Sequence, residues 1–207
     1  MAWTAVSGQH RLIYPMPDTG LIVKEFSIPD NWPRACGLDV RWNTAAAIWG
    51  ARDPESDVLY LYSEYCGEAD PAIHAAAIRS RADWIPGLIH AEANGRNQSD
   101  GYRLIKIFRD LGLQLRSVDS PLESGILMVG ERMHSGRLKV FGSLSKYLDE
   151  RRLYRRDERD QIVRDRDNLQ DAARCLVSGA RHMITKVSAS PPSPPLRLST
   201  GSMGWVR

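Results

Sequence analysis

Three strand-like segments crowd into residues 35–65 with too little chain between them for any crossover. They are residues 35–40 (ACGLDV), 45–50 (AAAIWG) and 58–65 (VLYLYSEY), rich in apolar, β-branched and aromatic side chains. A parallel return takes about a dozen residues or more. The connections here are only residues 41–44 and the turn-rich 51–57, which contains Asp53-Pro54. Three strands joined by such short connections would form an antiparallel meander.

Beyond residue 65 the chain alternates between helix and strand. Asp70 and Pro71 open a helix as N-cap and first helical residue, with Ile73, Ala76, Ala77 and Ile78 on its apolar side up to about Ala82. Residues 86–90 (PGLIH) read as a strand. Ser99 and Asp100 offer caps for a helix in which Leu104, Ile107, Phe108 and Leu111 recur at helical spacing before Gly112 closes it. A strand at 113–118, a helix at 122–134, a strand at 138–141 and a helix at 143–151 come next. A last helix begins near Asn168, with Leu169, Ala172, Ala173, Leu176 and Val177 on its buried side. The expected fold is α/β: a mixed sheet of meander plus parallel strands with helices on both faces, in the order of a ribonuclease-H-like fold. Residues 1–33 read as an extended lead-in with short strands and 34–185 as the folded domain. Residues 186–207, with PPSPP at 191–195, read as a disordered tail.

Composition excludes several classes. The 43% hydrophobic and 26% charged fractions are those of a globular chain, and no apolar run approaches the roughly 20 residues that cross a bilayer. The first eight residues lack the basic-then-apolar order of a secretory leader, so a cytoplasmic protein without a membrane partner is expected. Cys36, Cys66 and Cys175 are odd in number and widely spaced, as buried small hydrophobes in a reducing compartment would be. A net charge of +3 does not announce a nucleic-acid binder. The seven arginines of residues 151–166 are interleaved with Asp157, Glu158, Asp160 and Asp165, which reads as a solvated mixed-charge face. Neither a G-x-S-x-G elbow nor a G-x-x-x-x-G-K-[ST] loop occurs.

The chemistry points to acids at the strand and helix ends. Asp39 lies in an otherwise apolar strand, where a carboxylate is costly unless it is paired or holds a metal. His90 and Glu92, two residues apart, would face the same way if the fourth strand runs that far. Asp167 and Asp171, four apart, would share a face at the positive end of the last helix. Carboxylates so placed suit Mg²⁺ or Mn²⁺, two of which about 4 Å apart can clamp a phosphodiester. Spacing alone leaves these residues open to ordinary readings: strand-end acid, loop acid, helix N-cap.

A resemblance covers nearly all of the ordered chain. RLIYP at 11–15, IPDNWPR at 28–34 and GLDVRW at 37–42 are similar to the opening of the nuclease domain of phage terminase large subunits. WIPGLIH at 84–90, NGRNQSDG at 94–101, ESGI at 123–126 and SGRLKVF at 135–141 continue the likeness, as do RLYRRDE at 152–158 and DNLQDAAR at 167–174. The resemblance implies a metal-dependent endonuclease cutting concatemeric DNA during packaging. Its partners would be double-stranded DNA, an ATPase domain, a small terminase subunit and a portal protein. Asp39 matches the family's first catalytic Asp and Asp171 the last, in a D-H-x-x-D-A-x-R motif, with Asp167 an additional ligand. The sequence departs from the pattern at Arg41 and Asn43, where a glycine and a second Asp are usual, and at Asn168, the motif histidine. His90 stands where an acid is expected, Glu92 being the nearest carboxylate. Arg41, Arg96, Arg137 and Lys139 are the phosphate-contact candidates. A Holliday-junction-resolvase-like nuclease and a degenerate DNA- or portal-binding module are the competing readings.

Overall fold

The structure is a computed structural model and describes residues 11–90, 98–119 and 121–186. In chain order β1 (Arg11–Leu12) and β2 (Ile22–Val23) precede the meander strands β3 (Arg34–Val40), β4 (Thr44–Arg52) and β5 (Leu59–Glu68). Then come α1 (Pro71–Arg79), β6 (Gly87–His90), α2 (Gln98–Asp110), β7 (Leu115–Val118), α3 (Leu122–His134) and β8 (Leu138–Phe141). α4 (Ser145–Leu153), β9 (Arg155–Arg156) and α5 (Asn168–Ser178) complete it.

The meander forms as its short connections require: β3 pairs antiparallel with β4, and β4 with β5. Longer connections through helices then add parallel strands to both edges, giving the seven-stranded order β2-β8-β5-β4-β3-β6-β7. This is the mixed ribonuclease-H-like sheet expected from the element order. One apolar cluster, with α3, α4 and α5, covers one face, and a second, with α1 and α2, covers the other. β2 brings part of the lead-in into the sheet as its edge strand.

The register defines two ends of the sheet. At one end Asp39 pairs with Ala46, and Ala46 with Cys66. At the other, Arg34, Ala51, Tyr60 and Lys139 form one row. The rows are five residue steps apart along β3, about 17 Å at ~3.3 Å per step.

α5 is buried along nearly its whole length, from Leu169 to Val177, and lies on β3 and β4. Such close seating needs a floor without side chains. A Cβ at Gly37 would fall 2.0 Å from the Ala172 carbonyl oxygen, and one at Gly50 would fall 2.6 Å from Leu176 Cδ2. The starts of α4 and α5 are capped from neighbouring elements. Glu64 of β5 accepts the backbone N–H groups of Lys146 and Tyr147. Glu150 of α4 accepts those of Leu169 and Gln170.

The charge pattern of residues 151–166 needs a correction, because they are not a uniformly solvated face. Arg151 is buried, donating to the Tyr14 and Met16 carbonyls and pairing with Asp18, while Arg156 pairs with Glu123. These partners are far away in sequence, so local charge pattern could not reveal them. All three cysteines are free, Cys36 and Cys175 buried as expected and Cys66 partly so. The tail from residue 187 lies outside the described residues.

Gly37→Ala should lower stability by about 3 kcal/mol, the upper range of overpacking costs, read from urea unfolding. A loss under about 0.5 kcal/mol would mean that α5 does not depend on this close approach.

Candidate active site

At the Asp39 end of the sheet lies a cavity of about 200 Å³, lined by Asp39, Val40, His90, Leu122, Asp171 and Arg174 among others. Its residues come from four elements that the fold brings together. Asp39 is next to last in β3, and alternation places it on the face that carries α5. His90 ends β6, two residues beyond Leu88, which packs in the α5-side cluster, so the two share that face. β3 and β6 are paired through Leu38 and Ile89, which sets Asp39 and His90 on adjoining strands at the same level. Asp171 stands in the first turn of α5, above them.

The three aspartates are sequestered: Asp39 is 6% exposed, Asp167 2% and Asp171 3%. Buried carboxylates require compensation, and arginines supply it. Arg41 reaches Asp39 Oδ2 at 3.4 Å. Arg174 donates to Asp171 Oδ1 through Nε (3.3 Å) and Nη2 (3.1 Å). Arg164 bridges Asp171 Oδ2 (3.0 Å) and Asp167 Oδ2 (3.2 Å) through one Nη1. Asp167 occupies the N-cap position of α5, but its side chain makes no capping bond, because Glu150 already takes the Leu169 and Gln170 amides. Burial, then the neighbouring Asp171, pushes the Asp167 carboxyl up, and Arg164 opposes the shift. Burial pushes the Cys175 thiol on the cavity wall up to about 12, so it is protonated at neutral pH and is no nucleophile.

Of the residues singled out from sequence, the fold brings together Asp39, His90 and Asp171 around the cavity, with Asp167 joined to Asp171 through Arg164. Among the described residues no three His, Cys, Asp or Glu side chains are close enough to hold a cation. Glu92 and Arg96 lie outside the described residues. Arg137 and Lys139 stand at the opposite end of the sheet. Arg137 is engaged with Glu131 and Asp57, and Lys139 with the Gly20 carbonyl. Neither belongs to the cavity, since β8, which carries Lys139 and follows directly on Arg137, begins at the level where β3 begins. Sequence reasoning missed Arg164 and Arg174 as counter-ions. Arg174 had a usable signal, its i,i+3 spacing from Asp171. Arg164 precedes the helix, and nothing in its spacing marks it. Beside the site, Arg103 of α2 lies over exposed Trp42, 5.9 Å from the ring centroid.

Glu150 lies behind this end of the fold. Burial raises its carboxyl to about 7 from the ordinary 4.5, against the two amides it accepts and with Asp167 and Glu64 nearby. Because the folded value is the higher one, the protonated form is favoured in the fold. Its stabilisation is complete below about pH 4.5 and is lost as pH rises through about 7. The melting temperature of the wild type should therefore fall between roughly pH 5 and pH 8 relative to Glu150→Gln, whose amide oxygen still caps α5. A wild-type-minus-variant difference that stays constant across that range would contradict this assignment.

No protein-family model matches the chain. It is 28% identical over 173 residues to the terminase large subunits of Enterobacteria phage LP7 and Salmonella phage P22, a match that spans 78% of this chain. The chain spans about a third of the length of those relatives, 36% and 34%. Its fold superimposes on the nuclease domain of the P22 large terminase with a TM-score of 0.78 at 27% identity, covering 86% of this chain and 96% of that domain. The nuclease domains of phage SPP1 large terminase with bound Mn and of phage G20c large terminase with bound magnesium share the fold. Their TM-scores are 0.55 and 0.57, each at 13% identity, covering 77% and 83% of this chain and 94% and 98% of theirs. In sequence the chain is similar to phage terminase large subunits, and in fold it matches the nuclease domain of the P22 large terminase.

Proposed function

We propose that this chain is a divalent-metal-dependent DNA endonuclease domain of a phage packaging terminase, cutting concatemeric double-stranded DNA in the cytoplasm of the host bacterium. Its partners in this reading are an ATPase domain, a small terminase subunit and a portal protein. The observation that carries the proposal is the meeting of Asp39 and Asp171 on one cavity, from elements at opposite ends of the fold's sequence. The likeness to the P22 nuclease domain supports it. So do the Mn and magnesium bound by the SPP1 and G20c domains.

The donor chemistry, carboxylate oxygens with one imidazole, is that of a hard cation's ligands, which would have to draw together to hold it. Carboxylate oxygens of Asp39, Asp171 and Asp167 would take Mg²⁺ or Mn²⁺, His90 offers a nitrogen, and Glu92 would supply a further carboxylate two residues beyond His90. Two bound cations would supply Lewis acidity toward a phosphodiester and a water made nucleophilic. The chain's own residues do the positioning. Leu38 and Val40, bracketing Asp39 in β3, are buried and fix the carboxylate's direction. The seating of α5 fixes that of Asp171. Arg41 and the Arg103–Trp42 pair stand beside the site, where guanidinium groups would hold the DNA backbone. A second reading, a degenerate module that binds DNA without cutting, draws on the carboxylates being taken up by arginines with no ready-made three-ligand cluster among the described residues.

Plasmid cleavage with Mg²⁺, Mn²⁺ or EDTA separates the two. Cutting should require the metal. Asp39→Ala and Asp171→Ala should each reduce it by more than about a hundredfold, beyond the cost typical of outer-shell partners. Comparing His90→Ala with Glu92→Ala then identifies which supplies the second corner. Metal-independent DNA binding without cleavage by the folded protein would select the degenerate reading.

A further inference from the structure

We infer that Arg164 is an internal counter-ion of the acidic site, holding the Asp171 oxygen that a divalent cation needs, so that a cation binds only by displacing it. The inference rests on the metal-dependent reading above. Asp171 divides its two oxygens between two arginines: Arg174 takes Oδ1, and Arg164 takes Oδ2 while bridging to Asp167.

The two arginines differ in how firmly they are held. The Arg174 side chain is 8% exposed and rides on α5, three residues from its partner, in a helix seated directly against Gly37. Moving it means moving the helix. The Arg164 side chain is 51% exposed and comes from the segment between β9 and α5. That segment is anchored on one side by the Val163 N–H donating to the Arg155 carbonyl. On the other side Arg166 sits at φ 55°, in the left-handed region that disfavours non-glycine residues. Half-exposed ion pairs are weak and screened by salt, so Arg164 is the partner that yields.

Charge balance gives the reason it must. Among the described residues, the carboxylates of Asp39, Asp167 and Asp171 are matched by the guanidinium groups of Arg41, Arg164 and Arg174. A cation at roughly 2.1 Å from Asp171 Oδ2 would add two positive charges within about 5 Å of the Arg164 guanidinium, a repulsion that a partly dehydrated site does not screen. Without metal, Arg164 instead lets two buried carboxylates remain side by side.

The test is Mn²⁺ binding to the full chain by calorimetry, for the wild type, Arg164→Gln and Arg164→Lys. Removing the competing charge should tighten Mn²⁺ binding by roughly tenfold, the strength of a half-exposed charge-assisted hydrogen bond. Arg164→Lys, which keeps the charge, should tighten it much less. Equal or weaker Mn²⁺ binding by a folded Arg164→Gln protein, with a wild type that does bind Mn²⁺, overturns the inference alone. Failure of both proteins to bind Mn²⁺ overturns the metal-dependent reading and the inference with it. If Arg164→Gln does not fold, the wild type decides through its arginine side-chain NMR signals. Mg²⁺ saturation should release the hydrogen-bonded Arg164 Nη protons to exchange, and their continued protection would rule displacement out.

Discussion

The close approach of α5 to β3 and β4 sets the terms for everything around it. A helix whose residues 169–177 are all buried can lie flat on a sheet only where the sheet offers backbone in place of side chains, and Gly37 and Gly50 provide that surface. The contact fixes the height and rotation of α5, and hence where Asp171 points. It also fixes the distance between α5 and β3, the strand that carries Asp39. A site whose two principal carboxylates come from residues 39 and 171 is in this sense a property of helix-to-sheet packing. The remaining elements serve that contact. β6 sets His90 beside Asp39, and α3 and α4 close the same face around α5.

Burying so many acids beside one another creates an electrostatic problem that the fold settles with arginines. Arg41 comes from the strand end that carries Asp39, Arg174 from within α5, and Arg164 from the segment leading into it. Each lies close in sequence to a carboxylate it neutralises, so the pairs form as soon as the local backbone does. The most exposed of these cations, Arg164, spans two acids, and the least exposed, Arg174, is held against Asp171 on its own helix. Under the proposed metal-dependent reading, stability without metal and readiness to take up metal would fall to different side chains.

Much of this is legible in the sequence where the governing interaction is local. The bounds of α3 and β8 follow from apolar spacing: Ile126, Val129 and Met133 are buried on one side of the helix, and Val140 and Phe141 in the strand. The apolar strand around Asp39 and the helix start at Asp171 are likewise legible, and the fold sets both residues on one cavity. What sequence cannot supply is the identity of distant partners. Arg151 looks like one cation in a solvated run, yet it is buried against Tyr14, Met16 and Asp18, well over a hundred residues away. Arg137 and Lys139 look like phosphate contacts, but strand register carries Lys139 to the far row with Tyr60 and Arg34, and Arg137 leads into that strand. Asp167 has the residue type and place of an N-cap. It does not act as one, because a glutamate from α4 reaches those amides first.

The borrowed caps carry a consequence for assembly. α4 starts on a carboxylate that belongs to β5, and α5 starts on one that belongs to α4. A helix of 11 residues is marginal in water by itself, and this one lacks even a side chain of its own to terminate its first turn. In the native fold, then, the first turn of α5 is completed by α4, and that of α4 by the meander. The acidic end is therefore more than a local motif: the helix that carries Asp171 has its first turn completed by a glutamate of α4, whose own first turn is completed by a glutamate of β5.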